Sequence, residues 1–267
     1  MQKISILTAA LNPGPGLRDC LESVAGQALP GGVELEHLVL DGGSTDGTVG
    51  RLQSWASGVP GRRYRSEADG GFYEALNGGI KMARGDIVGI LNADDFYFDD
   101  MVLARVAEAF AGPGVDGVYG DLVYIASGGG RSGFRIKRYW KSGEFRRRAF
   151  LWGWMPPHPT VFVRREVYER SGGFRTDFQS AADYEWLVRV MVRDRASFQY
   201  IPRVLVAMRE GGMSNRSLAA RLAANRNDRR AWALNGLRPL PWTFLFKPLR
   251  KLPQWIGGKT TFPCRRA

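Results

Sequence analysis

The chain has 267 residues, an ordinary apolar fraction of 44% and a net charge of +12, which bounds it to one large domain or one domain with an appendage. Its two cysteines, Cys20 and Cys264, match no metal or redox spacing and read as reduced thiols of a cytosolic protein. No apolar run reaches the length that crosses a bilayer, and the opening MQKISILTAALNPGPG reads as a first strand rather than a leader, because Ser5 and Thr8 interrupt it.

Charge is unevenly placed. From Arg216 onward the chain carries 12 Lys and Arg against one acid, Asp228, whereas the preceding residues hold 26 basic and 25 acidic groups. A near-neutral body with a cationic tail points to an anionic surface or polymer as the tail's partner.

Ile4 to Leu11 predicts a buried strand, closed by the turn signal NPGPG. Leu17, Leu21 and Val24 then recur at helical spacing. Val33 to Leu40 predicts a second strand, and Ser44 or Thr45 a cap for a helix reaching about Trp55. A short strand near Tyr64 follows. Tyr73, Leu76, Ile80 and Ala83 then mark a helix face, and Ile87 to Leu91 a strand buried on both sides. Asp99 to Phe110 predicts a further helix and GVYGDLVYI a further strand. This strand-helix alternation implies a mostly parallel sheet flanked by helices.

After Gly128 the composition changes. SGGGRSG is a turn, Arg131 to Arg148 holds eight basic residues against Glu144, and FLWGWMPPHP is aromatic and proline-rich. Val161 to Arg164 predicts a strand, Glu166 to Ser171 a short helix, and Asp183 to Arg193 a helix with Trp186, Val190 and Met191 on one side. Arg189 is expected as an ion-pair partner or a surface charge. In the tail, Ser217 to Leu234 has helical propensity, and four later prolines interrupt a run of Trp, Phe and Leu interleaved with Lys and Arg. That mixture suits a membrane interface, with packing onto the body as the alternative.

Three acidic loops end successive strand units: Asp41, Glu67–Asp69 and Asp94–Asp95. In an open α/β sheet such loops share the edge at which ligands bind. Neither GxxxxGK[ST] nor GxGxxG occurs in the strand-to-helix turns, so a phosphorylated ligand there calls for a bridging cation. Paired acids at Asp94 and Asp95 suit a hard divalent ion, or else a polar turn ahead of the next helix.

The ordered set ISILTAALN, VLDGGSTDGT, SEADGGFYEALNGGI, GDIVGILNADD, HPTVFVRREVYERSGGF, AADYEWLVR and GGMSN resembles the family 2 glycosyltransferases across about residues 3–215. The resemblance implies a GT-A nucleotide-binding fold and an inverting transferase using a nucleotide-diphosphate sugar, a UDP-sugar favoured, with Mg2+ or Mn2+. It implies residues 1–215 as the catalytic domain, about 1–127 the nucleotide-sugar and metal half and about 128–215 the acceptor half. Residues 216–267 form the basic, aromatic tail. By this resemblance Asp183 is the catalytic base and Asp95 the metal ligand. Thr8, Asn12, Asp41, Asp69, Asn77, Asn92 and Asp94 hold the nucleotide-sugar, and His158, Trp154 and Glu185 lie near the acceptor. Leu11, Gly42 and Ala182 depart from the family's usual residues, as does FYEALNGG. The missing QxxRW motif favours transfer of a single sugar. The implied acceptor is a lipid-linked saccharide in polysaccharide or glycolipid assembly. The enzyme would then sit on the inner face of the cell membrane, and nucleic acid is not an expected partner.

Overall fold

The computed structural model describes residues 2–126, 128–210, 218–250 and 254. β1 (Gln2–Ala10) is an interior strand whose residues Ile4 to Leu7 are fully buried. Its side chains alternate between two layers, as strand geometry requires. Ile4 and Ile6 pack with α1 (Gly16–Ala25) and α4 (Val102–Ala109), while Leu7 and Ala9 pack with α3 (Phe72–Met82). β2 (Val33–Asp41) runs parallel to β1 over its whole length, and β3 (Arg62–Ser66) lies parallel beside β2. β4 (Ile87–Ile90) runs parallel to β1 on its other side. The chain thus leaves β1 toward β2 on one hand and returns beside it as β4 on the other. That reversal of strand order opens a crevice at the carboxyl ends of β1 and β4.

The second half of the sheet is mixed. β8 (Phe162–Arg164) pairs antiparallel with β4, and its Phe162 ring occupies the space where Gly89 of β4 lacks a side chain. β6 (Gly117–Ile125) pairs antiparallel with β8 and with β7 (Ile136–Trp140), and parallel with β9 (Phe198–Arg209). β5 (Phe96–Tyr97) closes the order β3-β2-β1-β4-β8-β6-β9-β5, with β7 beside β6.

The sequence pattern anticipates most of these elements, with several differences. α2 (Thr48–Ala56) starts after Ser44 and Thr45, because those two residues are engaged with Asn12 and the chain turns through Gly47 at φ 82°. α4 starts three residues beyond Asp99, whose carboxylate accepts from the Met101 N–H and holds Arg105. β5, β7 and β9 escape the sequence pattern. In β9 the register against β6 shifts between Tyr119 and Leu122, opposite Pro202, so the strand absorbs a proline that an unbroken ladder would exclude.

α5 (Arg165–Ser171) leads to α6 (Ala182–Leu187), which widens into a π-helical turn over 188–193. Trp186 to Met191 are all buried, so α6 is a core helix rather than a one-sided one. Arg189 is correspondingly no surface charge. It is 7% exposed, pairs with Glu185 and donates to the carbonyls of Ser171 and Gly173.

The described part of the tail packs on this body. α7 (Leu218–Leu234) buries Trp232, whose Nε1 donates to the Tyr184 hydroxyl at 2.9 Å. α8 (Thr243–Leu249) buries Phe244, and its Lys247 pairs with Asp228 at 2.6 Å while lying over the Tyr184 ring. Burying side chains of this size stabilises by roughly 1.5–3 kcal/mol each, enough to hold a helix against the body. Among the described residues no helix is long and apolar enough to cross a membrane.

Candidate active site

Asp41 ends β2 and is almost fully buried. Its Oδ2 accepts from the Gly43 and Ser44 N–H groups and from Ser66 Oγ at 2.7 Å, while Oδ1 is buried with no partner among the described residues. An orphaned buried acceptor is costly in a folded protein unless a ligand completes it. Asn12, at φ 46°, joins the first loop to this one: its N–H donates to Ser44 Oγ, and its Oδ1 accepts from Thr45 N–H. The Asp69 carboxylate lies against Gly42, where an added Cβ would meet it at 3.3 Å. Asn12, Asp41 and Asp69 therefore line one wall.

β4 delivers the second cluster. Asp95 is fully buried, accepts from Asn92 Nδ2 at 2.8 Å and from the Arg209 N–H at 3.3 Å, and its pKa is pushed up to about 8 by burial and then by the Asp94 charge. Asp94 is exposed, and its Cα lies 3.1 Å from where a Cβ on Gly16 would be, at the start of α1. A side chain at position 16 would press on that backbone and push it back by a few tenths of an ångström. The Arg209 guanidinium does not offset the two carboxylates directly. It donates to the Asp94 backbone carbonyl, to Gly129 O at 3.0 Å and to the Asp19 carboxylate, and lies over the Phe96 ring. Sequence reasoning misses Arg209. Its position at the end of β9, directly before the GGMSN stretch, was the available signal; residues 211–215 themselves lie outside the described residues.

Asp183 sits in the first turn of α6. Its Oδ1 accepts from the Tyr184 N–H at 2.8 Å and from the Tyr73 hydroxyl of α3 at 3.4 Å. Burial, then the Asp183 charge, push the Tyr73 phenol far above its ordinary range, so Tyr73 remains a donor. His158 is buried with its ring edge-on to Phe174 at 5.4 Å; burial lowers its pKa and the Asp183 charge works the other way. Tyr73, His158 and Asp183 thus converge from three remote segments.

Other expected residues are placed differently. Thr8 is fully buried within β1, with its hydroxyl 3.0 Å from His37 Nε2, below the loop edge. Asn77 spends its amide on the Phe174 backbone, donating to the carbonyl at 2.7 Å and accepting from the N–H at 2.8 Å. Trp154 is buried, stacks on Phe145 and donates to Ser142 O. Glu185 is 1% exposed and occupied by Arg189 and Asn235. These four support the site from behind rather than line it.

Two carboxylates at Asp94 and Asp95 fit a divalent ion that keeps water and phosphate in its other positions. The strain at Asp95, buried beside a like charge, is the kind a bound cation relieves. Among the described residues no group of three or more His, Cys, Asp and Glu side chains stands ready to cage a metal alone.

The chain is 34% identical to an uncharacterized glycosyltransferase of Mycobacterium tuberculosis, over 70% of this chain and 68% of that protein. It is 31% identical to a PGL/p-HBAD biosynthesis glycosyltransferase of Mycobacterium bovis, over 79% and 78% of the two chains. Among solved structures it resembles residues 1–349 of TarS from S. aureus in complex with UDP-GlcNAc, with a TM-score of 0.66 and 17% identity, covering 87% of this chain and 65% of that one. It spans 39% of the longer TarS chain. It also resembles the mannosyltransferase PcManGT from Pyrobaculum calidifontis in complex with GDP-Man and Mn2+, with a TM-score of 0.63 and 21% identity over 96% and 74% of the chains. These neighbours share the mixed α/β sheet and bear out the GT-A architecture. Residues 5–172 match the family described as Glycosyl transferase family 2, and with that match spanning more than half its length, the chain belongs to the family 2 glycosyltransferases.

Proposed function

We propose that the enzyme transfers one sugar, with inversion, from a nucleotide-diphosphate sugar to a lipid-linked acceptor during polysaccharide or glycolipid assembly. The observation that carries this reading is the Asp183 carboxylate, half-buried and held at Oδ1 by Tyr73 and the Tyr184 N–H, which leaves Oδ2 for an incoming hydroxyl. As the acceptor oxygen attacks the anomeric carbon, Asp183 takes its proton; the bond to the diphosphate breaks and its electron pair leaves with the phosphate oxygen. Attack from the face opposite the leaving group inverts the anomeric centre. A positioned general base of this kind contributes about 10² to 10⁴-fold in rate.

Asp41, with its orphaned Oδ1, is assigned to the nucleotide base, and Asn12 and Asp69 to the same wall. Asn92 orients Asp95, and Asp95 with Asp94 would hold Mg2+ or Mn2+. When bound, such an ion offsets the charge of the departing diphosphate. His158 faces the acceptor beside Asp183. UDP-sugars and GDP-mannose are both bound by structural neighbours, and a UDP-sugar is the favoured donor here. The glycolipid direction is supported by the mycobacterial relative named for PGL/p-HBAD biosynthesis. Such an acceptor places the enzyme at the cytoplasmic face of the membrane, with residues 1–127 handling the donor and 128–215 the acceptor. Incubating the protein with labelled nucleotide sugars and a membrane lipid extract tests this. A lipid-extractable product with inverted anomeric configuration is expected, and retained configuration overturns the mechanism.

A further inference from the structure

Apolar side chains on a short helix normally turn inward, and α8 obeys this only in part. Phe244 is buried, but Trp242, Leu245 and Leu249, spaced to share one helical face, point to solvent, with Leu245 65% exposed. Trp152 stands beside them, 46% exposed, its ring 5.9 Å from Trp242 and 5.4 Å from Phe246. Two tryptophans and two leucines therefore form one continuous outward ridge. Scattered exposed leucines are ordinary, whereas a clustered aromatic ridge marks an interaction surface.

A groove of about 460 Å³ adjoins this ridge, between the end of β7, the Gly153–Met155 turn and the end of α8. The two features share a seam at Gly153, which abuts the Lys247 backbone so closely that a Cβ would collide with it. Lys141 and Arg250, both exposed, line the groove, and among the described residues no carboxylate does. Lys247 also lines it but is committed to Asp228. The turn that forms one wall continues directly through Pro156 and Pro157 to His158 beside Asp183.

We propose that this face docks the enzyme on an anionic phospholipid membrane, with the ridge entering the interface and the Lys141–Arg250 groove receiving a lipid phosphate headgroup. The inference deepens the assignment of a lipid-linked acceptor and rests on it. Tryptophan is suited to the headgroup layer, leucine to the layer beneath, and flanking cations to the negative surface potential. A second copy of the chain is a poor occupant, because a net charge of +12 on each molecule opposes self-association. Docking here brings the acceptor half to the membrane by the short path from Met155 to His158.

The test is co-sedimentation of the full chain with vesicles of phosphatidylglycerol and phosphatidylcholine. Wild type is expected to bind the mixed vesicles, to lose most binding on pure phosphatidylcholine, and to resist competition by glycerol phosphate. Trp242→Ser with Leu245→Ser removes exposed side chains and should lower partitioning by roughly tenfold or more; Lys141→Glu with Arg250→Glu should do the same in a salt-sensitive way. Nucleotide affinity, read by calorimetry, should be unchanged in both pairs, which separates this proposal from that of the donor site. Unaltered vesicle binding in both double variants overturns the proposal, as does a wild type that stays in the supernatant or forms dimers instead.

Discussion

Buried carboxylates are treated in opposite ways at the loop edge of the sheet and away from it. Away from that edge the chain supplies their partners: Glu36 is held by Arg63 and Ser5, Asp121 by Tyr139 and Tyr200, Glu185 by Arg189 and Asn235, and Asp228 by Lys247. At the edge it supplies fewer. Asp41 leaves one oxygen without a partner among the described residues, and Asp95 is buried against the charge of Asp94 while the Arg209 guanidinium donates elsewhere. A fold that satisfies most of its buried acids leaves these two incompletely satisfied, the pattern that a ligand would complete. The Asp41 and Asp95 loops are therefore the part expected to gain stability if nucleotide and metal bind there, since ligands that bind only the folded state stabilise it.

The largest effect concerns the carboxylate that belongs to neither pattern. Asp183→Asn keeps the hydrogen bond from Tyr184 N–H but cannot take the acceptor proton, so turnover should fall about 10² to 10⁴-fold with nucleotide affinity nearly intact. Steady-state kinetics paired with calorimetry reads both; near-normal turnover rules out Asp183 as the base.

Breaking a satisfied pair should cost stability rather than chemistry. Glu185→Ala leaves Arg189 buried and uncompensated, for a loss of about 3–5 kcal/mol in urea unfolding. A loss below about 1 kcal/mol would show that the Glu185–Arg189 pairing is not structural.

Asp95→Asn should have the contrary sign. Its raised pKa means that folding of the ligand-free protein takes up a proton, so the native carboxyl favours folding at acid pH and loses that contribution as pH rises through about 8. Above that pH the amide should stabilise the ligand-free protein by about 1 kcal/mol or more, while abolishing any dependence of nucleotide binding on Mn2+. Equal nucleotide affinity with Mn2+ and with chelator in the wild type removes the metal assignment.

An effect confined to acid pH sharpens the contrast through a buried group outside the site. His37, sealed between Thr8 and Trp55, has its pKa lowered to about 3 by burial. Between the ordinary value near 6.5 and about 3 the unfolded chain binds a proton that the native chain refuses, so stability falls with decreasing pH by up to about 1.4 kcal/mol per unit. His37→Gln should flatten that acid limb; an unchanged limb would assign it to other groups.

Much of the first half of the fold is legible because its units are local. β1, β2 and β4 are short apolar runs, each followed by Asp, Asn or Gly, and α1 and α3 show their buried stripes directly. The rest depends on pairings that leave no local trace. β5 is two residues long, too short to show a period. β9 is twelve residues long but is interrupted by Pro202, and it is defined by partners about 80 residues upstream. Arg209 belongs to the site only through that strand. For Thr8, Asn77, Trp154 and Glu185 the position in a motif was readable and the direction of the side chain was not. Trp232 and Trp242 show the same limit within the tail: similar residues in similar surroundings, one buried against Tyr184 and the other facing water.

The placement of β9 bears on how the protein is made. It is the last strand among the described residues, yet it lies inside the sheet between β6 and β5. A ribosome adding about 5–20 residues per second exposes β6 for several seconds before its permanent neighbour emerges. Throughout that interval β6, apolar along nearly its whole length, presents an open edge of the kind that pairs with the wrong strand. The Arg209 contacts with Asp19 and Asp94 form only after β9 seats, so the donor pocket is among the last features to be completed. Nascent chains halted before residue 198 should therefore be prone to aggregate and unable to bind nucleotide, although every loop acid from Asp41 to Asp95 has already been synthesised.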